Sequence, residues 1–160
     1  MEFAFTEEQQ MIRETAAQFL ADNCDSAAVR RAMATDTGFE PGMWQRIAGE
    51  MCWTAIHIPE EYGGLGLGYV ELVAVMEQMG RYLLCAPYFS SVCLGANALL
   101  VAGNEAQKAE YLPRIADGSL RATLAWCDAS GRWDADGVSA TAVRGKGCGE
   151  DGSGAPVSFH

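Results

Sequence analysis

From Thr6 to about Gly118 the apolar residues recur at intervals of three and four, the spacing of helix faces. Only Gly- and Pro-rich punctuation interrupts that pattern. Thr6 and Gln9 form a capping-box pair, with Glu7 and Glu8 placed against the positive end of the helix that follows. Ile12, Ala16, Phe19 and Leu20 then share roughly one face. A short helix is expected over Ala27–Ala34. A third opens at Pro41, carries Trp44, Ile47, Ala48 and Met51, and ends near Met51. A fourth runs from Tyr69 to about Tyr82. A fifth, from Ser90 to Ala102, is apolar nearly all round and is expected to be buried. Asn104 with Gln107 opens a sixth, carrying Tyr111, Leu112 and Ile115.

The pattern changes after Gly118. Arg121–Cys127 and Val138–Val143 read as strands joined by the turn-rich stretch that follows Cys127. Helices followed by strands argue for separate segments, not alternating βα units. Between Gly145 and Gly154 half the residues are glycine, no periodicity survives, and disorder is expected over 144–160. The organisation read from the chain is an all-α domain over 1–118, the start of a β domain over 119–143, and a tail over 144–160.

Eleven Lys and Arg against 21 Asp and Glu give a net charge of −10. Such a surface disfavours nucleic acid, whose binding rests on neutralising phosphates. The longest apolar run, Val92–Ala102, falls well short of the ~20 residues that span a bilayer. The N-terminal MEFAFTEEQQ lacks a basic region followed by an apolar one, so a cytoplasmic protein is expected. Six cysteines form no C-x-x-C pair, and they read as small buried hydrophobes, not metal ligands or a redox pair.

Chemistry-bearing residues are sparse. The loop Ile58–Gly68 invites a phosphate-binding reading, but Glu71 stands where a third glycine is needed, so it reads as a tight connection between helices. His57 reads as packed and hydrogen-bonded. Glu60 and Glu61 are adjacent loop residues and read as solvated. With His57 and His160 the sole histidines, no Ser/His/Asp or Cys/His constellation can be argued.

The order of motifs says more. Thr6-Glu7-Glu8-Gln9 opens the first helix, and Pro59-Glu60-Glu61-Tyr62-Gly63-Gly64-Leu65-Gly66 lies between helices. Ala102-Gly103-Asn104-Glu105-Ala106-Gln107-Lys108 then leads to Tyr111-Leu112-Pro113, Ile115 and Gly118. This set closely resembles the acyl-CoA dehydrogenase family, over Met1 to about Val143. The resemblance implies a mainly α fold: a six-helix N-terminal domain followed by the first strands of an incomplete β-barrel middle domain. It implies FAD as cofactor, an acyl-CoA thioester as substrate, α,β-dehydrogenation as reaction, and electron-transfer flavoprotein as acceptor. Gly131-Arg132-Trp133-Asp134, with Asp136-Gly137-Val138, resembles actinobacterial members that serve steroid or unusual acyl chains.

Carried over position by position, the family's flavin-contacting strand motif falls on Leu124, Trp126 and Cys127. Cys127 stands in place of a threonine, and a thiol donates more weakly than a hydroxyl. Arg132-Trp133-Asp134 replaces Gly-Ser-Asp, so the serine expected to meet the pyrophosphate is absent. Ser90 and Leu94 match acyl-pocket positions, and small Gly95 and Ala98 are expected either to leave room for a bulky chain or to allow close helix packing. The catalytic base is expected on a C-terminal helical domain that these 160 residues do not include, so no catalytic residue is assigned. After Val143 the sequence departs from the family and reads as truncated or out of frame. Three roles remain open at this point: an incomplete, inactive dehydrogenase chain; a non-catalytic helical subunit in a homo- or hetero-oligomer; or a flavin oxidase or monooxygenase on the same fold.

Overall fold

A computed structural model describes residues 4–127, 129–139, 141–144 and 157–159, with backbone alone for 135, 142–144 and 157–159. Six α-helices follow the expected order: α1 Glu7–Asn23, α2 Ser26–Met33, α3 Pro41–Gly49, α4 Tyr69–Arg81, α5 Asn97–Ala102 and α6 Glu105–Ala116. A π-helical segment, Phe89–Ala96, runs directly into α5. The chain divides into two compact units, Met1–Leu124 and Ala125–His160.

The caps explain where the helices begin. Thr6 Oγ1 accepts the Gln9 N–H at 3.2 Å while Gln9 Oε1 accepts the Thr6 N–H at 3.0 Å. Asn104 and Gln107 reciprocate in the same way at 2.9 and 3.0 Å. Each satisfies orphan backbone donors and stabilises its helix by about 1 kcal/mol. Asp25 caps α2 by accepting the Ala28 N–H at 2.7 Å. Pro41 sits in the first turn of α3, where its missing N–H costs nothing.

Helices α1 and α4 pack side by side and run in the same direction. Gln9 Nε2 donates to Glu71 Oε1 at 2.8 Å, and Arg13 bonds Glu77 through Nε and Nη2 at 2.9 and 3.3 Å. Beneath these links lies the main core, built on Leu20, Trp44, Ile47, Trp53, Leu72, Val75, Tyr88 and Val92. A second cluster joins Ala55, Ile58, Ala96, Leu112 and Ile115. Burying each large aliphatic side chain contributes about 1.5–3 kcal/mol. The helical run from Phe89 therefore bridges both clusters, through Val92 in one and Ala96 in the other.

The loop between α3 and α4 is a structural connector, as its sequence suggests. Glu60–Tyr62 makes one 3₁₀ turn, and Gly63 follows at φ 78°, a left-handed conformation suited to glycine. Gly64 then passes so close to Ile58 that a Cβ there would lie 1.8 Å from the Ile58 carbonyl oxygen. Backbone hydrogen bonds from Leu65 to Ala55, Gly66 to Ile58 and Leu67 to Ile56 fasten the loop. Glu60 and Glu61 are exposed, as expected for solvated residues.

Five expectations are corrected. Arg121–Cys127 is not a strand: a strand exists through its ladder, and no backbone N–H or C=O of Thr123–Trp126 is hydrogen-bonded among the described residues. Of the strand expected over Val138–Val143, residues 142 and 143 lie in β1, Ala142–Arg144, which pairs antiparallel with β2, Val157–Phe159; residues 138, 139 and 141 are outside any strand, and residue 140 lies outside the described residues. β2 lies in the tail expected to be disordered; Val-Ser-Phe can supply the alternation that a partner strand needs. The remainder of 145–160 lies outside the described residues. The fifth helix is not buried all round either, since Val101 is 84% exposed and none of Asn97–Ala102 is fully buried. Finally, the cysteines are not fully buried: Cys24, Cys52, Cys85 and Cys93 are half-buried, with Cys24 and Cys93 packed against the main core, and Cys127 is exposed. Cys148 lies outside the described residues.

Candidate functional site

The π-helical segment is the element on which the pocket residues depend. Its i→i+5 ladder winds wider than an α-helix, so residues four apart lie in straighter rows along the axis. Ser90 and Leu94 form one such row, and both are half-buried. Ser90 Oγ donates to the Pro87 carbonyl at 3.1 Å, which commits its proton to the turn that starts the segment. Ser91 and Gly95 form the adjacent row, and both are buried.

That second row grips the segment that follows α6. Ser91, wholly buried, accepts the Ala122 N–H on Oγ at 3.2 Å. A Cβ on Gly95 would fall 2.6 Å from Ala122 Cβ and 3.3 Å from the Thr123 nitrogen. Gly95 therefore does not open room for an acyl chain; Ala122 fills the space, and of the two expected consequences of its small size only close packing is realised. Ala98 is half-buried. Upstream, Trp44 Nε1 donates to the Gly118 carbonyl at 2.8 Å and the Arg121 guanidinium lies 5.1 Å from the Phe39 ring centre.

A polar cluster closes the other end of the π segment. Asn97 Nδ2 donates back to the Cys93 carbonyl at 2.9 Å, where the π ladder gives way to α. Asn97 Oδ1 accepts from the Tyr69 hydroxyl at 2.8 Å and lies 3.2 Å from His57 Nε2. The His57 and Tyr69 ring centres are 5.6 Å apart. Burial pushes the His57 pKa down, only partly countered by the Asn97 bond, so the ring is neutral. The reading of His57 as packed and hydrogen-bonded holds on one side of the ring; Nδ1 is buried with no partner among the described residues.

The residues expected to meet the flavin are divided between the two units. Leu124, 44% exposed, ends the first. Trp126 and Cys127 belong to the second, where Trp126 is half-buried, Cys127 exposed, and the Trp126 and Trp133 rings meet edge to face at 4.7 Å between centres. In that unit Arg132 holds Asp134 in a forked ion pair at 2.7 and 3.1 Å. Within the first unit, the main chain of Thr123 and Leu124, without a hydrogen bond among the described residues, offers donors and acceptors of the kind that can meet a planar ring. The Cys127 side chain fits it less well.

Other features lie elsewhere. An apolar groove of about 360 Å³ is lined by Met11, Ile12, Trp53, Ile56, Leu65 and Leu67, and it contains none of the residues above. No group of His, Cys, Asp and Glu could hold a metal, and no helix is long and apolar enough to cross a membrane, among the described residues.

The profile of the family described as acyl-CoA dehydrogenase, N-terminal domain, matches residues 6–119. The chain belongs to the acyl-CoA dehydrogenase family. Acyl-CoA dehydrogenase IpdE2 of Mycobacterium tuberculosis is 37% identical over 118 residues, which cover 74% of this chain and 36% of that protein. The ChsE4–ChsE5 complex of Mycobacterium tuberculosis is similar in structure, with a TM-score of 0.75, 26% identity, and coverage of 82% of this chain and 36% of that one. An acyl-CoA dehydrogenase of Bacillus anthracis solved with FAD gives a TM-score of 0.76 at 27% identity, covering 86% of this chain and 24% of that one. This acyl-CoA dehydrogenase chain thus spans about a third of the length of IpdE2.

Three positions escaped the sequence reading. Ser91 looked like any serine in an apolar run. Asn97 stood out only as a polar interruption of that run; an amide inside an otherwise apolar helix was the available signal. Gly95 was noticed for its size but not for what fills the space.

Proposed function

We propose that this chain forms the N-terminal helical part of an FAD-dependent acyl-CoA dehydrogenase that removes α and β hydrogens from an acyl-CoA thioester. The observation that carries the reading is the match of residues 6–119 to the N-terminal domain of the acyl-CoA dehydrogenase family; the main chain of Thr123 and Leu124, where the resemblance puts the flavin edge, makes no hydrogen bond among the described residues. Leu124, Trp126 and Cys127 would hold FAD mainly through main-chain groups. FAD supplies the hydride acceptor when bound. Ser90 and Leu94 would form one wall of the acyl pocket, fixing the chain of the thioester so that reaction depends on position, not on local acid–base groups. The base belongs to a C-terminal helical domain by resemblance, and the acceptor of the electrons is an electron-transfer flavoprotein.

Two measurements test this. The 160 residues alone are expected to lose flavin on purification and to reduce no dye with acyl-CoA. A fusion of residues 1–143 to the middle and C-terminal domains of a homologous dehydrogenase is expected to hold flavin and turn over. Dye reduction by the 160 residues alone, or a well-folded fusion without flavin, refutes the proposal. Consumption of dioxygen in place of dye by the fusion would instead favour a flavin oxidase or monooxygenase.

A second reading has its own support. The exposed apolar side chains Tyr69, Val73, Phe89 and Val101 offer a surface for another chain, and the similar ChsE4–ChsE5 structure is a complex of two proteins. In that reading the chain is a helical subunit completing a hetero-oligomeric dehydrogenase. Co-purification with a dehydrogenase from a neighbouring gene tests it, and a lone chain from native extract rules it out.

A further inference from the structure

The π-helical segment carries two parallel rows with different work. Ser90 and Leu94 lie in one. Ser91 and Gly95 lie in the next and hold Ala122, two residues before Leu124. We infer that Ser91 and Gly95 are positioning residues, locking segment Arg121–Leu124 onto the helix that presents Ser90 and Leu94, so that the pocket wall and the start of the flavin-contacting segment share one register. The inference rests on the flavin and pocket assignments proposed above.

The lock has a polar and a steric part. Ser91 is fully buried, and its hydroxyl oxygen is the partner of the Ala122 N–H. From Thr123 to Trp126 the backbone makes no hydrogen bond among the described residues, so the Ser91 bond is the last one before the strip that must stay open for a ligand. Gly95 supplies the steric part: with no Cβ, it lets the Ala122 backbone carbon and the Thr123 nitrogen approach within 3.1 and 3.3 Å of where one would sit. A segment with unbonded main chain is held in place only by such anchors. Shifting it relative to the helix would displace a main-chain contact set whose use depends on geometry.

The test uses the 160-residue chain for hydrogen exchange and, for binding, the fusion of residues 1–143 to the middle and C-terminal domains of a homologous dehydrogenase, with FAD as the probe. Hydrogen exchange at the Ala122 amide is expected to speed up at least about tenfold in Ser91→Ala and in Gly95→Ala, as loss of one hydrogen bond predicts, with α1 and α6 amides unchanged. Adding Ala122→Gly to Gly95→Ala removes the 2.6 Å side-chain collision and leaves the backbone contacts at 3.1 and 3.3 Å, so protection at residue 122 is expected to return in part. In a direct FAD titration of the fusion both single variants are expected to weaken binding about tenfold and the double variant to regain part of it. Unchanged exchange at Ala122 in both single variants overturns the lock. Exchange that changes while FAD affinity does not overturns the positioning role with the flavin reading intact. An unsubstituted, well-folded fusion that protects Ala122 but binds no FAD at any concentration overturns the flavin reading, and the positioning role with it, while the lock itself stands.

Discussion

His57 Nε2 lies 3.2 Å from Asn97 Oδ1, and the amide oxygen can only accept, so the proton of the neutral ring resides on Nε2. Nδ1 is then a bare lone pair in a buried place. Tyr69 joins this pair: its hydroxyl also donates to Asn97 Oδ1, and its ring centre lies 5.6 Å from that of His57. The His57–Asn97 pairing links the middle of the α3–α4 connector to the junction between the π segment and α5.

The first prediction concerns acid. His57 has a folded pKa below its ordinary value because burial disfavours the charged ring. On acidification the unfolded chain takes up a proton that the folded one resists. Stability is therefore lost as pH falls from about 7 toward about 5, and this contribution is flat above that window. Urea unfolding at both ends of the window, in a His160→Gln background, checks it. His57→Gln should flatten the slope; an equal slope in the variant contradicts the assignment.

A second prediction follows from Tyr88, whose hydroxyl donates to the Trp53 carbonyl at 2.9 Å from a site only 3% exposed. Tyr88→Phe keeps the ring in the core and removes one of two donors to that carbonyl, which still accepts the Ile56 N–H at 3.2 Å. The expected cost is about 0.5–1.5 kcal/mol, read from the denaturation midpoint. Thr54→Val should behave alike, since Thr54 Oγ1 donates to the Ala116 carbonyl at 2.6 Å and ties the 3₁₀ turn to the end of α6.

Gly64 gives the third. A Cβ there meets the Ile58 carbonyl oxygen at 1.8 Å, and backbone, not a flexible side chain, stands in the way. Gly64→Ala should cost several kcal/mol, about 3 or more, by forcing apart the loop that Leu65, Gly66 and Leu67 fasten to residues 55–58. Gly42→Ala, where nothing lies within 4 Å of the new methyl, is the control and should be close to neutral or slightly stabilising. Equal midpoints for the two variants would contradict the close approach.

These contrasts show which physics the sequence exposes. Thr6 with Gln9 and Asn104 with Gln107 were legible because a cap is local: donor, acceptor and helix start lie within four residues. The helix faces were legible because burial follows period. The strand expected over Arg121–Cys127 was not, because apolar alternation says nothing about whether a partner strand exists, and here none pairs with it among the described residues. Leu124, Trp126 and Cys127 could be proposed from resemblance alone; their open backbone could not be read from residue types. Gly95 is the clearest case. A small residue in a helix means either space or contact, and only the position of Ala122, 27 residues later, decides for contact.

The fourth prediction separates the partners of Asn97. Replacing it with leucine removes three interactions at once: the acceptor for His57 and Tyr69 and the donor to the Cys93 carbonyl. They are not equal. Tyr69 is 58% exposed, so its hydroxyl can turn to water, and Tyr69→Phe should cost less than about 1 kcal/mol. His57 is 8% exposed and has no partner on Nδ1 among the described residues, so Asn97→Leu should cost about 2–4 kcal/mol, most of it from the stranded ring. Asn97→Asp tests the sign. A carboxylate still accepts from His57 and Tyr69 but favours the charged imidazole, which raises the folded pKa of His57 above the unfolded one. The stability it contributes is then present at low pH and lost as pH rises through that raised value. Relative to the unsubstituted chain, the pH dependence between about 5 and 7 should therefore reverse in sign. A slope of unchanged sign in a folded Asn97→Asp variant would show that His57 and Asn97 are not paired in solution.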